Sequence, residues 1–252
     1  MLKIIIRKIL PANVLLILKN FYMIFKQKIK NHRLYIKAVA KKNGLEIGGP
    51  SPIFKKYLPI YPSAKSIEFV NFSARTVWEG TLKDKVNYYK NKNGKQHTLE
   101  GDNLSFFTNN QFDFVVSSNC IEHIANPIKA ILEWKRISAE YLIIVIPKRD
   151  NNFDKNRPIT TFKHLLEDYK KDISEHDLTH MDEVLKLTDF SKAYFNGTKE
   201  EFAERCKKNY EYRCIHHHVF DNELIKKIMS YVNLKIINIE SDRNEWFVLA
   251  KK

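Results

Sequence analysis

Apolar runs of strand length alternate with helix-like segments along most of this 252-residue chain, which predicts an α/β protein built on a mostly parallel sheet. Two stretches mark the ligand end of that sheet. In Gly44-Leu-Glu-Ile-Gly-Gly-Pro-Ser-Pro52 an apolar strand ends in an acid and two glycines, so the chain can turn tightly and bring bare backbone close to a ligand. Ser51 is expected to cap a helix there, with Pro52 at its first position. In Phe112-Asp-Phe-Val-Val-Ser-Ser-Asn-Cys-Ile-Glu-His-Ile124 a second apolar strand runs into a polar loop. Strand, glycine turn and helix together describe a crevice at the carboxyl ends of parallel strands.

Taken in order, seven strands are expected: Gly44 to Gly48, Ser66 to Asn71, Gln96 to Glu100, Phe112 to Ser117, Tyr141 to Pro147, Leu234 to Glu240 and Trp246 to Ala250. The clearest helix follows Asn126-Pro127, read as cap and first position, with Ile128, Ile131, Leu132 and Trp134 on one face. Only Ser241 to Glu245 separates the last two strands, too short for a parallel crossover, so they form an antiparallel hairpin. That ending differs from the dinucleotide-binding layout, which continues with helical crossovers. Residues 148–222, between the fifth and sixth strands, exceed what one crossover helix needs and read as a substrate-side insertion.

Charge separates the chain into two parts. Residues 1–42 hold eleven Lys or Arg and no Asp or Glu, which leaves only +3 of the net +14 on residues 43–252. A nucleic-acid partner would want basic residues spread over the folded domain among stacking aromatics, so that class is disfavoured. The arm is also apolar: Val14 to Phe25 is interrupted only by Lys19 and Asn20, and its polar residues fall in one stripe at helical spacing. Its longest unbroken apolar run is far shorter than the ~20 residues of a membrane span. Residues 1–40 therefore read either as a helix lying on the inner face of an anionic membrane or as a helix packed on the domain. Cys120, Cys206 and Cys214 lack metal-ligand spacing and suit a reduced, cytoplasmic protein.

With strands, glycines and hairpin together, the chain from about residue 43 resembles the class I S-adenosylmethionine-dependent methyltransferases, of the type 11-like kind. Phe112 to Pro127, followed by Ala130 and Glu133-Trp-Lys-Arg136, is similar to that family's strand-four signature. Asn71 to Gly80, Asn156 to Thr161, His176-Asp-Leu-Thr-His180 and Arg213 to Asp221 resemble methyltransferase-like proteins encoded alongside bacterial glycosyltransferases. The resemblance implies a Rossmann-like seven-stranded sheet with S-adenosylmethionine as the cofactor. It places Glu46, Gly48 and Gly49 under the methionine half, Asn71 at the ribose where the family usually has an acid, and Asp102 at the adenine amino group. Ser118 and Asn119 would lie near the sulfonium. Pro50 replaces the family's last loop glycine.

Six of the nine histidines lie in the insertion. His176 and His180 stand at i and i+4 with Asp177 beside them, one face of a helix if that segment is helical. His216, His217 and His218 form a run whose alternate side chains point together if extended. A general base for a hydroxyl acceptor, drawn from His176, Asp177, His180 and His217, is one reading, and a divalent metal is another, although the spacing matches no tight ligand template and no metal is assigned. Arg157 and Arg213 can grip a phosphate or carboxylate on an acceptor, or form ordinary ion pairs. The expected function is O-methylation of a sugar or a surface-polysaccharide intermediate, with a glycan acceptor, glycosyltransferase partners and contact with the inner membrane. The alternative is a methyltransferase-fold scaffold that has lost transfer.

Overall fold

The computed structural model describes residues 28–76, 80–193, 195 and 197–252. The apolar stripe from Val14 to Phe25 lies outside these. Among the described residues, the main sheet contains eight strands: β1 (Asn43–Ile47), β2 (Ser66–Asn71), β5 (Lys85–Tyr89), β6 (Lys92–Thr98), β7 (Phe112–Ser118), β8 (Ser138–Pro147), β9 (Lys235–Ser241) and β10 (Glu245–Lys251). Their order across the sheet is β5-β6-β2-β1-β7-β8-β10-β9, and a separate hairpin pairs β3 (Arg75–Thr76) with β4 (Gly80–Thr81).

Strands β6, β2, β1, β7 and β8 run parallel. Strand β10 lies antiparallel between β8 and β9, so the chain ends in the expected hairpin. The order reverses between β1 and β7, and a reversal leaves a crevice at the strand ends because successive connections leave in opposite directions there.

Side chains on the central strands alternate between two cores, as a sheet covered on both faces requires. Phe114, Val116, Ile143 and Val145 join Phe247, Phe54 and Tyr61 on one face. Helix α1 (His32–Val39) covers that face with Tyr35, Ala38 and Val39, and α2 (Ile60–Ser63) contributes Tyr61. Residues 28–39 thus pack on the domain through Ile29 and α1.

On the other face Val115, Leu142, Ile144 and Ile146 meet Trp134 and Ile131 of α3 (Pro127–Ile137) and Leu224, Ile225 and Ile228 of α8 (Asn222–Tyr231). Between β8 and α8 the chain makes α4 (Phe162–Lys170), α5 (Met181–Leu187), α6 (Lys199–Lys207) and α7 (Asn209–Tyr212). A small core of Val184, Phe202, Cys206 and Ile215 holds part of that segment together. No helix among the described residues is long and apolar enough to cross a membrane.

Three local expectations change. The sheet has eight strands rather than seven, because β5 pairs antiparallel with β6. Its sequence, Lys-Val-Asn-Tyr-Tyr, has only one fully buried side chain, Tyr88, and the lysines along this hairpin suit an exposed edge that must resist pairing. The fifth strand, expected from Tyr141, already begins at Ser138 as β8, so α3 passes directly into strand. The helix expected after the glycine turn is a single 3-10 turn, Pro52–Phe54, and the Ser51 side chain makes no capping bond.

Helix α3 begins as predicted. The Asn126 side chain accepts from Lys129 N at 3.1 Å, and its amide donates to Asp168 O on α4 at 3.3 Å. Asn126 is fully buried, so Asn126→Ala should lose both the cap and the tie to α4. A loss of about 2 kcal/mol is expected, read from the urea midpoint at unchanged m-value.

Candidate active site

The glycine turn is closed on itself by its own side chains. Gly48 sits at φ +79, and a Cβ there would lie 2.9 Å from Cys120 Sγ. Both the backbone and the thiol exclude a side chain. A Cβ on Gly49 would lie 2.2 Å from Glu46 Cδ, so the second glycine lets the turn fold over that carboxylate. Glu46 is fully buried; it accepts from Ser51 N at 2.9 Å and from the Tyr61 hydroxyl at 2.6 Å.

Asn71 Nδ2 donates to Gly49 O at 2.7 Å. A carboxylate at 71 has no proton for that carbonyl, which accounts for an amide where the resemblance led one to expect an acid. Glu46 and Asn71 therefore shape the turn, whereas Gly48 and Gly49 present its backbone.

The other expected ligand contacts lie on the same edge of the sheet. Asp102 follows β6 in a loop fixed by Trp134, whose indole Nε1 donates to Gly101 O at 2.7 Å. Its carboxyl is mostly buried and lies 3.6 Å from Lys129 Nζ. Burial raises its pKa, and the lysine opposes that rise. Ser118 is buried at the end of β7. Asn119 adopts φ +50, donates its N–H to Val145 O at 3.0 Å and reaches Glu245 Oε1 at 3.5 Å. Burial, with the Glu122 charge, pushes the Cys120 thiol up to about 12, which leaves it a packing group.

The insertion reaches back across these strand ends through Arg213. This residue is buried in a left-handed conformation at φ 48. Its Nη2 donates to both oxygens of Glu100, at 2.7 and 2.8 Å, and its Nη1 lies 2.9 Å from Glu175 Oε2. The guanidinium stands 4.7 Å over the ring of Phe72, the residue after β2. Arg213 is thus an internal ion pair. Arg157 is likewise no acceptor clamp: it is buried and bonds Asp154, Glu183 and the carbonyls of His216 and His217.

Of the four residues proposed as catalytic, the fold brings together three. Asp177, His180 and His217 have potential ligand atoms within 4.8 Å of one another. His176 is exposed and stacks on Tyr210 at 4.1 Å, so it stands apart. The segment before α5 is a series of turns rather than a helix, and the i, i+4 geometry does not arise. Nor do alternate histidines of the run converge. His216 bonds Asp154 Oδ2 at 2.6 Å, His217 faces Asn209 at 3.1 Å and Glu175 at 3.5 Å, and His218 lies 3.7 Å from Asp168.

Burial pushes His180 down to about 4, reinforced by His217 and His164, so it stays neutral with a lone pair available. Burial works against charge on Glu175, but the His217 hydrogen bond and the Arg213 charge outweigh it and hold the carboxyl below its usual range.

Sequence reasoning did not single out His164, Asp168, Asp154 or Glu175. The first pair carried a signal: His164 and Asp168 stand at i and i+4 just after Thr161, whose side chain caps α4 by accepting from His164 N.

The sheet order, the reversal at β1 and β7, and the terminal antiparallel pair define a Rossmann-like methyltransferase fold, with eight strands in the main sheet. Residues 69–141 match the family model described as a methyltransferase domain, which implies S-adenosylmethionine as the cofactor. No curated protein matches the sequence.

Similar solved structures include a Rhodobacter sphaeroides protein provisionally named a zinc-dependent alcohol dehydrogenase, at 12% identity and TM-score 0.53, covering 90% of each chain. An S-adenosylmethionine-dependent methyltransferase from Mesorhizobium loti is 10% identical at TM-score 0.49, with 88% of this chain and 95% of that chain covered. One from Methanosarcina mazei is 13% identical at TM-score 0.47, covering 89% and 98%. At 12% identity the first of these likenesses speaks to the fold alone.

Arg213→Met keeps much of the side-chain volume but leaves Glu175 buried beside an apolar group. A loss of about 3 kcal/mol is expected, together with faster proteolysis of residues 148–221, followed by denaturant melts and limited digestion.

Proposed function

We propose that this protein is an S-adenosylmethionine-dependent methyltransferase that acts on a sugar hydroxyl of a surface-polysaccharide intermediate at the cytoplasmic face of a membrane. The observation that carries the first half is the shared position of the Gly48-Gly49 turn, Asp102 and Ser118 on one carboxyl edge of the sheet, across its switch point. The two glycines let the turn close over Glu46 and Cys120 at the strand end, which leaves backbone rather than side chains at that edge. Gly48, Gly49 and Ser118 would hold the methionine half, and Asp102 the base. When bound, the cofactor supplies an electrophilic methyl group on a sulfonium.

The chain's own task is to hold an acceptor oxygen in line with that methyl and to take its proton. His217 and Asp177, which the fold brings together beside His180, are the groups this reading assigns to the proton. Both lie in the insertion, which also closes the strand ends through Arg213 and Glu100. The acceptor class rests on the resemblance of the His176 to His180 and Arg213 to Asp221 motifs to glycosyltransferase-associated proteins.

Calorimetry of the full chain with S-adenosylmethionine should give saturable binding below millimolar, weakened about tenfold or more by Asp102→Ala through loss of a hydrogen bond to the base. A flat titration at millimolar donor sinks the enzyme reading. The seating of Arg213 on Phe72 favours a second reading, a scaffold for glycosyltransferases with no transfer. A flat titration of both wild type and Arg213→Met would leave that one standing.

The membrane half rests on residues 1–27, which carry five of the eleven basic residues of 1–42 together with the apolar run from Val14 to Phe25. Sedimentation with vesicles rich in anionic lipid should carry the full chain down at low salt and lose it on deletion of 1–27. Equal pelleting with neutral vesicles would end this part.

A further inference from the structure

We infer that the insertion holds a transition-metal dication of the zinc class, bound by His164, Asp168, His180 and His218. Each residue offers one ligand atom, and the four atoms lie within 4.8 Å of one another. His164 Nε2 is 3.1 Å from His180 Nε2 and 3.3 Å from Asp168 Oδ2; His218 Nε2 is 3.7 Å from Asp168 Oδ2. A tetrahedron with metal bonds of 2.0–2.1 Å has edges of about 3.3 Å, so the spacings surround a site of that size.

Hydrogen bonding alone does not explain the arrangement. Two imidazole nitrogens 3.1 Å apart can share one proton, and that proton cannot also serve the neighbouring carboxylate. Asp168 Oδ2 is buried and makes no hydrogen bond. His218 divides its Nε2 between Ala125 O, at 3.1 Å, and Asp168, while its Nδ1 is buried with no hydrogen-bond partner. A dication would satisfy His164, His180 and the carboxylate at once.

Local structure sets each ligand. Helical spacing puts His164 and Asp168 on one face of α4. Asn126 Nδ2 and Ile173 N both bond Asp168 O, which anchors that turn of α4. His180 begins α5, with its carbonyl accepting from Val184 N. His218 comes from the irregular segment between α7 and α8. Asp168 and His218 are buried and the other two ligands only partly so, which leaves the ion a way in. Three imidazoles and one carboxylate form a borderline donor set suited to zinc rather than to magnesium or calcium.

The site is independent of the methyl-donor reading, and its test needs no donor. Tag-free full-length protein, exposed to zinc and then dialysed, should retain about one zinc per chain by plasma mass spectrometry. Cobalt(II) added to metal-free protein should give the intense visible bands of four-coordinate cobalt. His164→Ala and His180→Ala, checked for folding by circular dichroism, should each lower retained zinc several-fold, while His176→Ala should not. The wild-type measurements decide the matter even if a variant fails to fold. Folded wild type that retains below about a tenth of an equivalent and gives only the weak pink spectrum of hydrated cobalt overturns the site.

Discussion

Buried charge that has left water must be met by opposite charge or by hydrogen bonds, and Arg213 answers that demand where the insertion meets the strand ends. Its guanidinium joins Glu100, which follows β6, to Glu175, which lies in the insertion, while its backbone bends into the left-handed region. Remove the guanidinium and two acids on different parts of the chain lose their counter-charge together. Arg157 plays a parallel part further out, tying Asp154 and Glu183 to the carbonyls of the histidine run. The insertion meets the strand ends through directional charge pairs, while Leu165 and Phe220 pack into the main core and a smaller core lies within the insertion itself. Such charge pairs fix geometry more than they add net stability, which suits a segment expected to position an acceptor.

The glycine turn follows a similar logic on a smaller scale. Glu46, Tyr61, Ser51 and Asn71 form a closed set of donors and acceptors around Gly49. Because their polar atoms are turned toward one another, the turn keeps its shape before any ligand arrives. On the donor-binding reading proposed above, the turn would offer backbone and the neighbouring Asp102 loop, itself pinned by Trp134, would offer the selecting side chain. Preorganisation of this kind lowers the ordering cost of binding.

The central sheet could be read from the chain because apolar residues dominate its inner strands and each ends at a glycine, proline or polar stop. Ser66–Asn71 is found at its expected limits, and Asn126-Pro127 announces α3 with cap and first position side by side. Strand β5 escaped because an edge strand can be built from Lys, Asn and Tyr, residues that otherwise mark a loop. The histidine sites were only half legible. His176 and His180 look paired on a helical grid, but the backbone there turns, so only His180 enters the cluster. His164 and Asp168 did sit on a true helical grid, yet their partners lie 16 and 54 residues away from His164 along the chain, and no local pattern reports that convergence.

The segment between β7 and α3 explains why the most recognisable motif need not be a chemical one. His217 N donates to Glu122 O, Ala125 N donates to Glu175 Oε1, and Asn126 Nδ2 reaches Asp168 O. His123 faces Ile215 O at 3.2 Å and packs edge-on against His216 at 4.4 Å. Five polar groups of Glu122-His-Ile-Ala-Asn126 pair with the insertion: Glu122 O, His123 Nδ1, Ala125 N, Ala125 O and Asn126 Nδ2. Burial holds the His123 pKa well below its ordinary value, helped by the His216 charge, so this imidazole is a poor base and a good neutral packing group. Residues 122–126 are the seat to which the insertion is fastened. The same few residues abut Cys120 behind the glycine turn on one side and Asp168 of the histidine cluster on the other. A shift of the insertion would therefore have to be accommodated by this short loop, whose two ends face both regions.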